Sequence, residues 1–100
     1  MSTVTVFVDI DLKELIPLFL NGRREDIAAL KKALSEENYE ELKNLGHSLK
    51  GVGGGYGFHF ISDIGDKIEK SAKNTDAAHI QSLIDEIETS LDNLEIIYED

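Results

Sequence analysis

The strongest constraint on the fold is a helical spacing of apolar residues that repeats in four stretches of the chain. Within each stretch, apolar side chains recur every three or four residues, which is the period of one buried helix face. The stretches begin near Pro17, Asn38, Phe58 and Asp76, and short polar turns separate them. This pattern predicts an all-α fold, an up-down-up-down four-helix bundle in which each helix buries one face.

Local signals predict where these helices begin and end. Pro17 suits the first turn of the first long helix, which we expect to reach about Ser35. The weak point of that helix is Asn21-Gly22, where a break is the competing interpretation. Asn38 can cap the next helix, with Glu41 in the position of a capping box. We expect the third long helix to end near Lys73, and the last to continue through Leu91 and Leu94 to Tyr98, because their spacing stays helical.

The first residues carry a different pattern. Val4, Val6 and Val8 alternate with other residues, which is a weak strand signal without a second predicted strand to pair with. We therefore interpret residues 1–10 as an extended N-terminal arm that packs on the domain or meets another chain. Asp9 or Asp11 can then cap a short extra helix that ends near Leu15.

Length and charge limit the possible functions. One hundred residues, 41% of them hydrophobic, make a single domain, 1–100, with one core. The chain has no cysteine for disulfides or thiolate metal sites, no apolar run long enough for a membrane span, and no signal-peptide pattern. Its formal net charge of −10 would be repelled by nucleic-acid backbones and anionic membranes, so neither is an expected partner.

The second helical stretch carries the residues that point to chemistry. Its apolar stripe comprises Leu42, Leu45, Leu49, Val52 and Tyr56. At about 100° per residue, His47 points roughly 180° away from the centre of that stripe, toward solvent. Gly51 and Gly54 lie on the histidine side, and Lys43 and Lys50 flank it. The helix is therefore expected to present an imidazole on a surface that has few side chains.

The glycines from Gly51 to Gly55 allow three interpretations. They can form a loop that ends the helix, since consecutive glycines favour breaks. They can permit close packing of two helices, which suits Gly53 and Gly57 because both lie near the apolar stripe. They can clear space for a docking partner, which suits Gly51 and Gly54. In a helix interior, each costs about 1 kcal/mol relative to alanine, so we favour a combination of close packing and docking.

These residues resemble a known family. The run His47-Ser48-Leu49-Lys50-Gly51, followed by Tyr56-Gly57, is similar to the motif of histidine-containing phosphotransfer (HPt) domains. The small residue before the histidine is Gly46. Val52 is bulkier than the small residue expected after Gly51, and the triple glycine is richer than usual. Because the helical pattern around the motif extends the likeness over most of the chain, the resemblance covers one HPt-like domain.

The resemblance implies a phosphocarrier of two-component phosphorelays rather than an enzyme. A neutral imidazole is a good nucleophile near pH 7, since its ordinary pKa is about 6.5, and phosphohistidine stays reactive enough to pass the group on. His47 would accept and donate the phosphoryl group, and the Lys50 ammonium would stabilise its charge. Lys43, Gly46, Gly51 and Gly54 would contribute to partner docking.

The expected partner is a cytoplasmic one, the receiver domain of a response regulator or a hybrid histidine kinase. That receiver would supply the aspartate that exchanges the phosphoryl group. It would also supply Mg²⁺, because no acidic cluster suited to the ion is apparent beside His47. We therefore expect this chain to have no cofactor and no metal site of its own, and to neither bind nor hydrolyse ATP.

Three other interpretations of the sequence differ in how well they fit. A nucleotide-binding enzyme is disfavoured because the glycines fit neither G-x-G-x-x-G nor a P-loop. A zinc site formed by His47, His59 and His79 is disfavoured because their spacing gives no convergent pair. A helical adaptor that docks a signalling partner without phosphorylation remains possible, because it would use the same surface. Arg23 and Arg24 fit either docking or an ordinary solvated helix face.

Overall fold

The computed structural model describes residues 3–100, which form four long helices, a short helix and two strands. The elements are β1 (Val4–Asp9), a 3-10 helix (Ile10–Leu15), α1 (Ile16–Ser35), α2 (Tyr39–Gly55), α3 (His59–Lys73), α4 (Ala77–Asp92) and β2 (Leu94–Glu99). Each long helix packs on its neighbours in sequence, and α4 packs back on α1. The predicted four-helix bundle is therefore confirmed.

The helix starts follow the predicted capping chemistry. The Asn38 side chain accepts a hydrogen bond from the Glu41 backbone N–H at 3.1 Å, and Asp76 does the same for His79 at 3.1 Å. Each bond satisfies a backbone donor that lacks a partner within the helix. The backbone N–H of Asn38 donates a hydrogen bond to the Ala33 carbonyl at 2.8 Å, which closes the turn between α1 and α2. The cap at Asn38 is confirmed.

Helix α1 continues through Asn21-Gly22 without a break, so the competing interpretation of two shorter helices is wrong. The two arginines that follow Gly22 form ion pairs with acidic residues of α1 and α4. Arg23 Nε lies 2.8 Å from Asp26 Oδ2, and Arg24 Nη2 lies 2.8 Å from Asp92 Oδ1. Both guanidinium groups therefore have acidic partners within the chain.

The first and last elements of the chain pair with each other, which no local pattern in the sequence predicts. β1 and β2 form a two-stranded parallel sheet in which Phe7 lies opposite Ile97. The expected extended arm does pack on the domain, since β1 buries Val6 and Val8. The expectation that it lacks a strand partner is wrong, and so is that of a last helix reaching Tyr98, since α4 ends at Asp92. The ambiguity arises because Leu94 and Tyr98 fit a helical spacing as well as an alternating one. Residues 1 and 2 of the predicted arm lie outside the described residues.

One continuous core holds these elements together. Its buried apolar residues are Val6, Val8, Ile16, Phe19, Ile27, Leu30, Ala33, Leu42, Leu49, Phe58, Ile61, Ile64, Ile68, Ala72, Ile80, Leu83, Ile84, Ile87 and Leu91. Helix α2 contributes Leu42 and Leu49, so its opposite face, which carries His47, is turned to solvent. None of the helices within residues 3–100 has the length and apolar character that crossing a membrane requires.

Candidate functional site

His47 lies on the solvent face of α2. Its side chain is 73% exposed, while Leu49, two residues along the helix, is buried in the core. The predicted orientation of the imidazole is therefore confirmed. Exposure of this kind leaves the ring accessible to a second protein.

One edge of the imidazole is held by an acidic residue on the neighbouring helix. His47 Nδ1 lies 3.1 Å from Glu69 Oε2 on α3, and the Glu69 side chain is only 16% exposed. An ionised carboxylate can only accept hydrogen bonds, so this contact places the proton of a neutral imidazole on Nδ1. The lone pair on Nε2 is then free for a reaction at the exposed edge of the ring.

Lys50 lies one turn further along α2 and is also paired with α3. Its Nζ is 3.0 Å from Asp66 Oδ1, and Lys70 Nζ is 2.9 Å from Asp66 Oδ2. The hydrogen bond that Lys50 donates to Asp66 raises the pKa of Lys50. The hydrogen bonds from Lys70 and then Lys50 lower the pKa of Asp66. Asp66 therefore loses its proton at a lower pH in the folded protein than in the unfolded chain. The ionised carboxylate contributes its full stabilisation at pH values above the ordinary pKa of aspartate. That stabilisation is lost as the pH falls through the lowered pKa of the folded protein.

The acidic partners reach α2 because glycines let α2 and α3 approach closely. A Cβ at Gly46 would lie 2.7 Å from the Glu69 backbone N and 2.8 Å from the Gly65 carbonyl O. A Cβ at Gly65 would lie 2.6 Å from the Lys50 backbone N, and one at Gly53 would lie 2.7 Å from the Ser62 N. The predicted packing role of Gly53 is thus confirmed.

Three interpretations of the glycines require correction. Gly46, which was expected to help dock a partner, is buried against α3 and offers no surface to one. Gly57, which was expected to pack between helices, lies in the turn after α2 with φ of +83°. That left-handed conformation is open to glycine at little cost. The interpretation of the glycines as a loop that ends α2 before them is wrong, because α2 extends to Gly55.

The other glycines of α2 leave the surface around His47 bare. Gly51 and Gly54 are exposed, and a Cβ at either position would have no atom within 4 Å apart from its chain neighbours and the adjacent backbone of its own helix. Lys43, on the same helix, directs its Nζ to Glu40 Oε1 at a distance of 3.4 Å. The structure therefore brings together His47, Lys50, Glu69 and Asp66, beside a smooth helix surface.

The other two histidines lie elsewhere. His59 is exposed at the start of α3, and His79 Nδ1 is 2.8 Å from the Ser71 Oγ near the start of α4. Within residues 3–100, no three histidine, cysteine or acidic side chains are placed so that they could hold a metal ion. Among the histidines within residues 3–100, His47 alone pairs with a carboxylate, and its side chain is 73% exposed.

Sequence reasoning missed both Glu69 and Asp66. Glu69 follows His47 by 22 residues, and Asp66 follows Lys50 by 16 residues, so no local spacing in the sequence links these pairs. A weak signal is available in hindsight, since Asp66 and Glu69 border Gly65 and Ile68 of the buried stripe on α3. Locating them required the register between α2 and α3.

The comparison with protein families agrees with this site. The model of the Hpt domain matches residues 14–96, which include all four helices and the His47 site. Searches of curated proteins and of solved structures gave no significant match. Hpt domains are histidine phosphocarriers of phosphorelays, and they generally interact with receiver domains and histidine kinases. With a matching model over most of its length and the four-helix bundle in place, this chain belongs to the Hpt domain family.

Proposed function

We propose that His47 accepts a phosphoryl group from the aspartyl phosphate of one receiver domain and passes it to the aspartate of another. The observation that carries this proposal is the exposed imidazole whose Nδ1 is held by Glu69. Nε2 is then the nucleophile. A cytoplasmic location and a hybrid kinase or response regulator as partner belong to the same proposal.

The transfer step follows from this geometry. The Nε2 lone pair forms an N–P bond while the bond from phosphorus to the partner's carboxyl oxygen breaks, and the partner's carboxylate leaves with that electron pair. The ring gains positive charge and keeps its proton on Nδ1, where the negative charge of Glu69 offsets it. Transfer to the next receiver is the reverse of this step. The receiver supplies Mg²⁺ and the aspartate in both directions.

Incubating the protein with a phosphorylated receiver domain and Mg²⁺ tests the proposal. We expect acid-labile, alkali-stable phosphate on this chain, mapped to His47 by mass spectrometry. The purified chain with ATP and Mg²⁺ alone should remain unlabelled, and calorimetry should show no saturable ATP binding. A receiver that binds but never transfers phosphate would favour the non-phosphorylated adaptor, and autophosphorylation would indicate an enzyme.

Lys50 should matter for transfer and little for folding. We expect Lys50→Ala to slow phosphotransfer by roughly tenfold or more, because an ammonium beside the phosphoryl oxygens is lost. The free energy of unfolding should change little, since the Lys50 side chain is exposed and Asp66 keeps its ion pair with Lys70. Rapid-quench kinetics and thermal melts measure the two effects.

The matched control is Lys70→Ala, which removes the same charge from the other oxygen of Asp66. This variant should transfer phosphate at close to the normal rate. Equal slowing in both variants would mean that only the local net charge matters, and unchanged kinetics in Lys50→Ala would remove Lys50 from the mechanism.

The open surface at Gly54 should be required for access by the receiver. Gly54→Ala should stabilise the fold by up to about 1 kcal/mol through helix propensity, because the added methyl group meets no atom within 4 Å. Gly54→Leu should keep the fold, obstruct docking and slow transfer. Denaturant titration and transfer kinetics would measure both effects.

The control is Ser82→Leu, which adds the same exposed side chain to α4, a helix that packs on α1 and α3. It should leave the transfer rate unchanged. Normal transfer by Gly54→Leu would show that the bare surface is not where the receiver docks.

A further inference from the structure

The exposed apolar residues of this protein are concentrated at one end. Five large hydrophobic side chains are exposed among residues 3–100, and α2, α3 and α4 contribute none of them. They are Phe7 of β1, Ile10 and Leu15 of the 3-10 helix, Leu18 of α1, and Ile97 of β2. Since the 3-10 helix contacts both strands, these elements form one continuous region. We call the surface of β1, β2, the 3-10 helix and the first turn of α1 the sheet end.

The outer face of the sheet centres on an apolar pair. Val6 and Val8 point into the core, so the alternate residues of β1 point outward. Phe7 and Ile97 lie directly opposite each other and are 56% and 39% exposed. Neither side chain belongs to the buried core, so their outward placement contributes little to the stability of the isolated domain.

Acidic residues surround this pair. Thr5 lies opposite Glu95 on one side, and Asp9 lies opposite Glu99 on the other. Like charges directly across a sheet are destabilising, so the Asp9–Glu99 pair is unfavourable in the free protein. Asp9 has a local role because its Oδ1 accepts a hydrogen bond from the Asp11 N–H at 2.9 Å, but Glu99 makes no ion pair with any described residue.

The whole sheet end is strongly acidic. Its strands, 3-10 helix and the last residue of the chain carry six carboxylates, and Lys13 is the one basic side chain there within the described residues. The Lys13 ammonium lies 5.4 Å from the centre of the Tyr98 ring. The negative potential over the apolar pair is therefore largely uncompensated.

A cleft continues this surface toward the turn between α2 and α3. One wall of the cleft is formed by residues Val4–Phe7 of β1, and the other by Gly57, His59 and Phe60. The cleft has a volume of about 330 Å³. The Phe7 carbonyl O would be 3.5 Å from a Cβ at Gly57, so the glycine brings the turn close to β1. The cleft is large enough to take an apolar side chain from outside.

We propose that the sheet end is a docking surface for a protein segment in which apolar side chains alternate with lysine or arginine. The apolar side chains would cover Phe7 and Ile97 and enter the cleft, while the basic groups would pair with Glu95, Asp9 and Glu99. A second copy of this chain is the wrong occupant, because it would bring acidic faces together in a molecule with a net charge of −10. An anionic membrane is repelled for the same reason.

This surface is separate from the phosphorylation site. His47 precedes Gly55, the last residue of α2, by eight residues, which corresponds to roughly 12 Å along the helix, and the cleft lies beyond that end. The proposal does not depend on phosphotransfer, because it rests on residues of the sheet end and its cleft and on none of the residues assigned to transfer.

The test uses the full chain and a synthetic peptide of sequence Lys-Phe-Lys-Leu-Lys-Phe-Lys, with fluorescence anisotropy and amide chemical shifts as readouts. Two control peptides replace either every Lys by Glu or every apolar residue by Ser. We expect saturable, salt-sensitive binding of the first peptide only, with shift changes in β1, β2 and residues 57–60. Failure of the first peptide to bind, or equal binding of the Ser control, would overturn the proposal.

Protein variants locate the surface. We expect the double variant Phe7→Ser, Ile97→Ser and the double variant Glu95→Lys, Glu99→Lys each to weaken peptide binding at least about tenfold. Both should keep the circular dichroism of the native bundle, because all four side chains are exposed. His47→Gln should bind the peptide normally, which separates this surface from phosphotransfer.

Two further measurements test whether a second copy of this chain or an anionic membrane binds the sheet end instead. Sedimentation should show a monomer at all concentrations, and flotation with phosphatidylserine vesicles should recover no protein. A dimer that Phe7→Ser dissociates would replace the proposal with self-association. Vesicle binding lost in the same variant would replace it with a lipid surface.

Discussion

Replacing His47 with glutamine should abolish phosphorylation of this protein. Glutamine keeps a polar side chain on α2 but lacks the nucleophilic ring nitrogen, so no N–P bond can form. The fold should be unaffected because the His47 side chain is 73% exposed. The measurement is incorporation of label from a phosphorylated receiver domain, with circular dichroism to verify the fold.

The matched controls are the other two histidines. His59→Gln and His79→Gln should both be labelled at the normal rate, because neither imidazole has a neighbouring carboxylate and lysine arranged as at His47. Undiminished label on a folded His47→Gln protein would overturn the assignment. Loss of label in His59→Gln alone would place the acceptor at the start of α3 instead.

Adding one methyl group at Gly65 should cause the largest loss of stability. The Cβ of Gly65→Ala would lie 2.6 Å from the Lys50 backbone N and 2.7 Å from the Gly46 carbonyl O, so α2 and α3 would have to separate. Overpacking typically costs about 1–3 kcal/mol, and contacts this short with backbone atoms place Gly65→Ala in the upper part of that range, above the gain of roughly 1 kcal/mol in helix propensity. We expect a lower free energy of unfolding in urea titrations.

Gly51→Ala provides the control for this effect, because it adds the same methyl group to a helix position with no atom within 4 Å. It should raise the free energy of unfolding by up to about 1 kcal/mol. Transfer should also slow in Gly65→Ala, since separating the helices moves Glu69 away from His47. Stabilisation by both substitutions would mean that the close contact of α2 and α3 is unimportant.

The architecture was predictable where the information was local. The helical spacing of apolar residues predicted all four helices, and Asn38 and Asp76 marked two helix starts. The sheet was not predictable, because β1 pairs with a strand about ninety residues away and each strand alone fits another interpretation. Leu94 continues the helical spacing of Leu91, so only the tertiary pairing determines that the helix ends before it.

The candidate site shows the same division. His47, Lys50 and the open positions Gly51 and Gly54 follow from the phase of one helix. Glu69 could not be predicted, because its contact with His47 depends on how α2 and α3 align. Gly46 was misassigned for the same reason, since glycine at a helix surface has the same sequence signature whether a neighbouring helix or a partner protein covers it.

The parallel pairing of β1 and β2 has a mechanical consequence. The start of β1 and the end of β2 lie at opposite ends of the sheet, because Val4 is beside Leu94 and Asp9 is beside Glu99. Tension applied between the two ends of the domain would therefore pull the strands past each other in shear. All the hydrogen bonds of the ladder would bear the force together, whereas an unzipping geometry loads them one at a time. The sheet thus acts as a mechanical clamp that must slip before force reaches the helices.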